Sequence, residues 1–392
     1  MFNKKHIYII FIVNLLCFLL ITPITYSKEL TNSKLQNNLV KPTSKQNIVA
    51  PILVIDPYNL TIFHQKNIFQ RWYPASLTKL MTAFVVLILV DQNQISLNDP
   101  IIISKNASNV SPTKIGYKEG EIISVDTAIK ALLTRSANDV AIALAENIAG
   151  STAGFATLMN KVAKLIGMDN SNFDNPSGLP SANNYSTAYD LAILAINIWR
   201  EFPQYRHYLG IAQVEIDNKK LTNTNPLIGR FTGANGMKTG FTCDSGFNMI
   251  TSATRNENTL IVITLGNESQ TERAEKTAKL LEESFTNIKD SKYLPKLNQL
   301  QPNNSETPTK VVSIREKICG KIKHQRPKDI FTKNRQLILN SQYINPPIEE
   351  THTVSLPYIL KINSEKKTIK EEKKKNSSPT TRSPKLAKKH RS

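Results

Sequence analysis

The apolar run from Leu77 to Val90 constrains the fold of this chain more than any other segment. It follows Pro74-Ala75-Ser76 directly, carries Lys79 in its first turn and ends at Asp91, a pattern typical of a helix that is apolar on every side. The run is too short to cross a bilayer. We therefore predict a helix buried inside a core, covered by other elements of secondary structure.

Strand-like segments lie on both sides of a helical middle. Ile52–Ile55 and Leu60–Phe63 flank the turn Asp56-Pro57-Tyr58-Asn59 and predict a hairpin. The other predicted strands are Ile211–Ile216, Gly236–Phe241, Phe247–Ala253 and Leu260–Leu265, and the other predicted helices are Val125–Thr134, Asp139–Ala149, Ala153–Ile166, Thr187–Trp199 and Thr271–Phe285. This order implies a sheet whose strands come from distant parts of the chain.

The positive charge is concentrated at the C-terminal end. The whole chain has a formal net charge of +19, and residues 290–392 hold 23 Lys and Arg against 9 Asp and Glu. Pro-, Asn- and Lys-rich stretches with few apolar runs predict that residues 288–392 form a basic, largely disordered C-terminal extension. Because the body of the chain carries no recognisable nucleic-acid-binding module, we exclude nucleic acid as a partner.

The first 27 residues are typical of an export signal. Lys4 and Lys5 precede the apolar stretch Ile7–Ile21, and Thr25 and Ser27 are small residues spaced for cleavage after Ser27. Polar residues 28–46 are predicted to be a linker, followed by a folded domain at 47–287. An uncleaved membrane anchor is the alternative. We predict export to the periplasm or to the outer face of the inner membrane.

Two cysteines remain once the signal, which contains Cys17, is removed. In an exported chain an even number of thiols permits a disulfide, so we favour a bond between Cys243 and Cys319. The alternative is a pair of free thiols, one of them buried.

A serine and a lysine lie one turn apart at the start of the apolar helix, in Ser76-Leu-Thr-Lys79. Positions i and i+3 share one helix face, and a partly desolvated amine there can remove the proton of a serine hydroxyl. The same pattern occurs at Ser111-Pro-Thr-Lys114 and Ser364-Glu-Lys-Lys367, in a loop and in the tail. A capped core helix without catalytic function is the alternative.

Two further motifs lie downstream. Ser136-Ala-Asn138 occupies the gap between two predicted helices, where a rigidly held loop can push a hydroxyl and an amide into a cleft. Lys238-Thr239-Gly240 lies on a predicted strand, and a glycine within a strand allows a ligand to approach the backbone. An inter-helix turn and a strand with a solvated lysine are the alternatives. All three motifs in this order favour a functional site.

In this order the motifs resemble those of the serine penicillin-recognising enzymes. Four segments are similar to low-molecular-weight D-alanyl-D-alanine carboxypeptidases, namely Tyr73–Thr82, Arg135–Asp139, Asn184–Ala188 and Gly236–Thr242. The resemblance covers about Asn47 to Phe285. It implies an α+β fold of the β-lactamase/transpeptidase type, a mainly antiparallel sheet flanked by helices with an inserted helical subdomain, here with a disordered basic C-terminal tail. Many members also carry a β-rich C-terminal domain and a terminal amphipathic helix, and neither pattern is visible in this sequence.

The resemblance also implies roles for individual residues. Ser76 is the expected nucleophile, Lys79 its base, and Ser136 the group that helps deliver a proton to the departing D-alanine. Substrate-binding residues are expected to be Asn138, Lys238, Thr239, Gly240 and Phe241, with the backbone N–H groups of Ser76 and Phe241 as the oxyanion hole. No metal or other cofactor is implied. The implied partners are peptidoglycan stem peptides and, as covalent inhibitors, β-lactams.

Two other functions remain open at this stage. A class A β-lactamase shares the three motifs but needs a deacylating glutamate, and the chain has no Glu between Glu146 and Glu201. A non-catalytic envelope-binding protein would use the basic tail to hold anionic polymers. Ser76, Lys79 and Lys238 are all intact, which favours an enzyme.

Overall fold

The computed structural model describes residues 48–300, 309–332, 336–346 and 352–362. The predicted signal peptide, the predicted linker and residues 363–392 of the basic tail lie outside the described residues, so these interpretations stay predictions. Within the described ranges, no helix combines the length and the apolar character needed to span a bilayer.

Helices occupy the middle of the chain, as predicted. In the described part of the chain the α-helices are α1 (Thr78–Asp91), α2 (Lys105–Asn109), α3 (Val125–Arg135), α4 (Asn138–Ala149), α5 (Thr152–Leu165), α6 (Ala188–Glu201), α7 (Gln270–Thr286) and α8 (Arg315–Ile318). Turns of 3₁₀ helix are Ala75–Leu77, Pro203–Gly210, Ile288–Tyr293, Leu297–Gln299 and Lys323–Gln325. Thr187 caps the N-terminus of α6, because its hydroxyl accepts a hydrogen bond from the Asp190 N–H at 3.0 Å.

Strands come from both ends of the folded region. They are β1 (Ile52–Ile55), β2 (Ile62–Lys66), β3 (Pro100–Ile102), β4 (Ile122–Ser124), β5 (Gln213–Ile216), β6 (Lys219–Thr222), β7 (Ala234–Thr242), β8 (Gly246–Arg255), β9 (Asn258–Asn267), β10 (Thr353–Ser355) and β11 (Tyr358–Leu360). Five of them form an antiparallel sheet in the order β2-β1-β9-β8-β7. Ile52 faces Thr264 across the β1–β9 pair, so the predicted pairing of distant strands is confirmed.

The central sheet separates two apolar layers. Along β1, Leu53 and Ile55 belong to the large core that also contains α1 and α6, whereas Val54 belongs to a smaller core beneath α7. This alternation is the period of two that a strand imposes on its side chains. Every residue from Thr78 to Val90 in α1 is buried, which confirms the prediction of a helix covered on all sides.

Parts of the C-terminal extension lie on the domain. β11 pairs with β4, β10 pairs with β5, and Leu356 between them is 2% exposed. The predicted bond between Cys243 and Cys319 is confirmed. Folded contacts therefore continue past residue 287, where we predicted that the domain ends. Strands of three residues are too short for periodicity to predict, and their hydrogen bonds come from distant partners.

Candidate active site

Ser76 lies in the 3₁₀ turn that leads into α1, at the partly exposed end of this otherwise buried helix. The amine of Lys79, one turn later, is 3.1 Å from the Ser76 hydroxyl oxygen. The preceding Ala75 has a φ of +51°, a left-handed conformation that costs free energy in a residue with a side chain. The surrounding packing therefore holds the serine turn in a strained geometry.

The Lys79 side chain is completely buried, and the hydrogen-bond partners of its amine within the described residues are all neutral oxygens. It donates to the Asn138 side-chain oxygen at 2.6 Å and to the Ser177 carbonyl at 2.5 Å, besides Ser76. Burial lowers the pKa of Lys79 to about 7, although the negative charge of Asp139 opposes the shift. An amine with this pKa is partly neutral near pH 7 and can take up a serine proton.

The Ser136-Ala-Asn138 motif lies between α3 and α4, as predicted. Ser136 ends α3 with a φ of +59°, and its buried hydroxyl has no hydrogen-bond partner among the described residues. Asn138 begins α4; its side-chain amide donates to the Pro112 carbonyl, while its backbone N–H donates to the Thr113 carbonyl at 2.9 Å. The hydroxyl of Ser136 is thus free to bond a ligand, and the amide of Asn138 is held in place.

Asp139 binds the loop whose carbonyl groups accept hydrogen bonds from Asn138. Its buried carboxylate accepts hydrogen bonds from the backbone N–H groups of Ile115 at 3.2 Å and Gly116 at 2.9 Å. Burial raises the pKa of Asp139, and these N–H groups oppose that rise by stabilising the charged form.

The Lys-Thr-Gly motif lies on β7, at the edge of the central sheet. Lys238 is 1% exposed and donates a hydrogen bond to the Thr239 carbonyl at 2.9 Å. Burial lowers the pKa of Lys238 well below its ordinary value, and the positive charges of Lys79, Arg273 and Arg135 lower it further. The Thr239 hydroxyl donates to that of Thr224 at 2.8 Å. The site therefore holds concentrated positive potential, to which an anion would be attracted.

Gly240 lets β7 lie directly against the serine turn. A Cβ atom at this position would be 3.0 Å from the Ser76 nitrogen and 2.9 Å from the Pro74 carbonyl oxygen, so a larger residue would push strand and turn apart. Phe241, next along the strand, is 45% exposed, and its ring centroid lies 4.3 Å from that of Phe247. The backbone of β7 thus lies beside Ser76.

The structure joins Ser76, Lys79 and Asn138 in one hydrogen-bonded network and packs Gly240 against it. Lys238 is within electrostatic reach of Lys79. Within the described residues, the predicted site residues Ser136, Lys238, Thr239, Gly240 and Phe241 form no hydrogen bond with this network.

The sequence did not single out Ser177, Gly178 or Thr224. The dipeptides Asn175-Pro176, Ser177-Gly178 and Leu179-Pro180 predict turns, but they do not indicate that the Ser177 carbonyl reaches Lys79. Thr224 follows a strand that the sequence did not predict, so no signal pointed to it.

A cavity of about 280 Å³ adjoins the serine turn. Tyr73 and Ala75 line one side, residues 178–182 with Asn184 line another, and Thr242 and Asp244 lie at the end of β7. Within the described ranges, no group of three or more His, Cys, Asp or Glu side chains is arranged to bind a metal ion. The chemistry the site offers is an activated hydroxyl beside cations that can hold a carboxylate.

Comparison with known proteins agrees with the family resemblance seen in the sequence. The peptidase S11 family profile, described as D-alanyl-D-alanine carboxypeptidase, matches residues 40–269. The D-alanyl-D-alanine carboxypeptidase DacF of Bacillus subtilis is 34% identical over 233 residues, which are 57% of this chain and 59% of DacF. The chain thus spans less than two thirds of the length of this relative.

Solved structures share the fold. DacD from Francisella tularensis, a D-alanyl-D-alanine carboxypeptidase, matches with a TM-score of 0.59 at 29% identity, over 64% of this chain and 74% of that one. Penicillin-binding protein D2 from Listeria monocytogenes, solved in the ampicillin-bound form, matches with a TM-score of 0.55 at 31% identity, over 62% of this chain and 100% of that one. The predicted α+β fold of the β-lactamase/transpeptidase type is therefore confirmed. The chain belongs to the peptidase S11 family, the D-alanyl-D-alanine carboxypeptidases.

Proposed function

We propose that this protein is a serine-type D-Ala-D-Ala carboxypeptidase that removes the terminal D-alanine from peptidoglycan stem pentapeptides. The observation that carries the proposal is the buried Lys79 amine, with a pKa of about 7, at 3.1 Å from the Ser76 hydroxyl. This pair supplies a base and a nucleophile that act near neutral pH. Family membership supports the same activity.

Acylation begins with attack of the Ser76 oxygen on the carbonyl carbon between the two D-alanines, while the Ser76 proton passes to Lys79. The carbonyl oxygen becomes an oxyanion, for which the N–H groups of Ser76 and Phe241 are the proposed donors. When the carbon–nitrogen bond breaks, the departing amine takes a proton through Ser136. The buried hydroxyl of Ser136 suits this role, because none of the described residues forms a hydrogen bond with it.

Substrate binding uses the groups around the network. Asn138 is the proposed partner of the substrate amide. Lys238 and Thr239 are the proposed partners of the terminal carboxylate, which would receive a charge-assisted hydrogen bond from the buried amine. The positive charges of Arg135 and Arg273 around Lys238 support an anionic ligand here.

Water then attacks the acyl-enzyme, which releases the shortened peptide and regenerates Ser76. A β-lactam is proposed to acylate Ser76 and to leave slowly, making it a covalent inhibitor. The three described hydrogen-bond partners of the Lys79 amine include no carboxylate, and no Glu occurs between Glu146 and Glu201. These observations favour a peptidase over a class A β-lactamase.

The proposed place of action is outside the cytoplasm, on the cell wall. The apolar stretch Ile7–Ile21, preceded by Lys4 and Lys5, supports a signal peptide at residues 1–27 and a periplasmic location. The basic sequence after residue 362 is proposed to contact anionic envelope polymers. A catalytic role fits the buried lysines better than a binding role alone, because burying two amines costs free energy and groups with strongly shifted pKa values cluster at active sites.

Release of D-alanine from a peptide ending in D-Ala-D-Ala tests the proposal. We expect the wild-type chain to release D-alanine, Ser76→Ala to release none, and Ser111→Ala, which changes the serine of the second Ser-x-x-Lys sequence, to match the wild type. Turnover by Ser76→Ala at the wild-type rate would contradict the proposed nucleophile.

A further inference from the structure

The segment Val312–Cys319 binds two parts of the chain that meet at the serine. On one side it follows the chain that leads into the serine turn: the Val312 N–H donates to the Arg71 carbonyl at 3.1 Å, and Val312 pairs with Trp72 in a parallel bridge. Just before it, Lys310 accepts a hydrogen bond on its carbonyl from the Gln70 side chain at 3.1 Å. The segment is thus bound to the chain at Trp72, which is four residues before Ser76.

On the other side the same segment binds the turn between β7 and β8. Asp244 in this turn accepts hydrogen bonds from the Ser313 hydroxyl at 2.7 Å and from two nitrogens of Arg315, at 3.1 Å and 2.7 Å. The Ile314 N–H donates to the Asp244 carbonyl at 2.9 Å, and Cys319 is bonded to Cys243. Hydrogen bonds, an ion pair and a covalent bond therefore fasten the segment to one turn.

The two bound parts carry the two proposed oxyanion donors. The Ser76 N–H follows Trp72 by four residues, and the Phe241 N–H precedes Cys243 by two. Between them, the buried Trp72 indole donates to the Ser245 carbonyl at 2.9 Å, and Gly240 lies against the Ser76 nitrogen. Any shift of the β7–β8 turn relative to the serine turn changes the distance between the two donors.

We propose that Val312–Cys319 is a positioning clamp that keeps the end of β7 in register with the serine turn and so aligns the two oxyanion donors. Arg315 and the Cys243–Cys319 bond are its positioning residues, acting through Asp244 and the turn rather than by contact with substrate. The inference rests on the proposed function. It adds that residues outside the three motifs influence the rate of acylation.

Two features distinguish the clamp from ordinary surface packing. The Arg315–Asp244 pair is bidentate, a geometry that fixes direction as well as distance. The Arg315 hydrogen bonds lower the pKa of Asp244 below its ordinary value, because they stabilise the charged carboxylate. Isolated surface ion pairs stabilise little, but here a disulfide four residues from Arg315 already holds the segment in place.

Pre-steady-state acylation by a chromogenic β-lactam tests the clamp, because it separates the dissociation constant from the rate constant of acylation. We expect Arg315→Gln and Cys319→Ser in the full chain to lower the acylation rate constant about 10-fold, with dissociation constants within about two-fold of wild type. Arg315→Lys keeps the charge without the bidentate geometry and should recover part of the rate.

Lys317→Gln is the matched control. Lys317 lies on the same helix α8, is similarly exposed (51% against 54% for Arg315), and pairs with Glu268 instead of the turn. This variant should acylate at the wild-type rate. The melting temperature of each variant is measured, and the kinetics are recorded well below it. A lower acylation rate constant is then not caused by unfolding.

Acylation of Arg315→Gln and Cys319→Ser at the rate of Lys317→Gln would overturn the clamp, even if their melting temperatures fell, since the segment would then only stabilise the fold. A wild-type chain that is not acylated at all would overturn the proposed function, and the clamp with it. The two failures are thus distinguishable.

Discussion

At the scale of single residues, burial decides what Lys79 can do. Its amine is fully enclosed, and the oxygens around it belong to a hydroxyl, an amide and a backbone carbonyl. Desolvation disfavours the charged form more than the charge of Asp139 favours it, so the pKa is lowered to about 7. The same lysine on the surface would be protonated and unable to act as a base.

The rate of acylation should therefore depend on pH through Lys79. Below its pKa the amine is protonated and cannot accept the Ser76 proton; above it the neutral amine can. We expect the acylation rate constant to rise with pH and to level off, with a midpoint at about 7. Stopped-flow measurements with a β-lactam give the profile. A flat profile, or a midpoint near the ordinary lysine value of 10.5, would contradict the role of Lys79.

Lys238 should discriminate substrates by their C-terminal charge. Its amine offers an ion pair to a free carboxylate but not to an amidated end, so Lys238→Ala should lower kcat/KM at least about 10-fold more for the free acid. D-alanine or D-alaninamide release from the matched pair of peptides measures this. Lys219→Ala, an exposed lysine on β6, serves as control and should leave both rates unchanged. Equal losses on both peptides after Lys238→Ala would rule out the role.

The contact between Ser76 and Lys79, the proposed nucleophile and base, was predictable because the two residues are close in sequence. Positions three apart on a helix share a face, so the spacing placed the Ser76 and Lys79 side chains together. Ser111 and Lys114 have the same spacing, and the order of the three motifs distinguished the first pair from the second. The Ser177 carbonyl, 98 residues from Lys79, could not be predicted as its partner, since every residue has a backbone carbonyl and only the fold selects one. The same holds for the Thr224 hydroxyl beside Thr239.

At the scale of elements, the loop at residues 174–184 is part of the site because it is tied to the first turns of α1. The Pro176 carbonyl accepts a hydrogen bond from Thr82 at 2.6 Å, and Asn184 donates to Thr78 at 3.1 Å. Gly178 lies so close that a Cβ atom there would be 1.9 Å from the Ala75 carbonyl oxygen. The loop therefore supports both the strained serine turn and the Lys79 amine.

Gly178→Ala should damage both stability and catalysis. Gly178 has a φ of +78°, and the added methyl group must displace the loop from Ala75. We expect a lower melting temperature and an acylation rate reduced at least about 10-fold. Gly167→Ala is the control, because Gly167 has a φ of +85° but open space around it. It should lose only about 1 kcal/mol and keep the wild-type acylation rate. If both variants acylate at that rate, the loop does not support the site.

At the scale of the whole molecule, the order of helices and strands was predictable from the sequence. The pairing of strands from distant parts of the chain was predictable only in outline. Apolar runs at both ends indicated that β1 would share a sheet with later strands, and β9 is its partner. The additions of β10 to β5 and of β11 to β4 were not predicted. Three residues carry too little periodicity to indicate a strand, and the basic composition around them favoured disorder.

The Cys243–Cys319 bond should stabilise the chain as a whole. It encloses a long loop, with a sequence separation of 76, and in the chain-entropy model such closure contributes about 4 kcal/mol. The double variant Cys243→Ser/Cys319→Ser should unfold at a clearly lower urea concentration than the oxidised wild type. Reductant should lower the wild-type midpoint towards that of the variant and leave the variant unchanged. Equal midpoints for the oxidised wild type and the variant would show that the bond contributes no stability.

Intact-mass spectrometry after incubation with a penicillin asks whether Ser76 is an active nucleophile. The wild-type chain should gain the mass of one penicillin, peptide mapping should find the adduct on Ser76, and Ser111→Ala should gain the same mass. Ser76→Ala, which loses one oxygen atom at a partly exposed position and should stay folded, is expected to gain nothing. A wild-type chain of unchanged mass, or an adduct retained by Ser76→Ala, would contradict the assignment of Ser76 as the acylated serine.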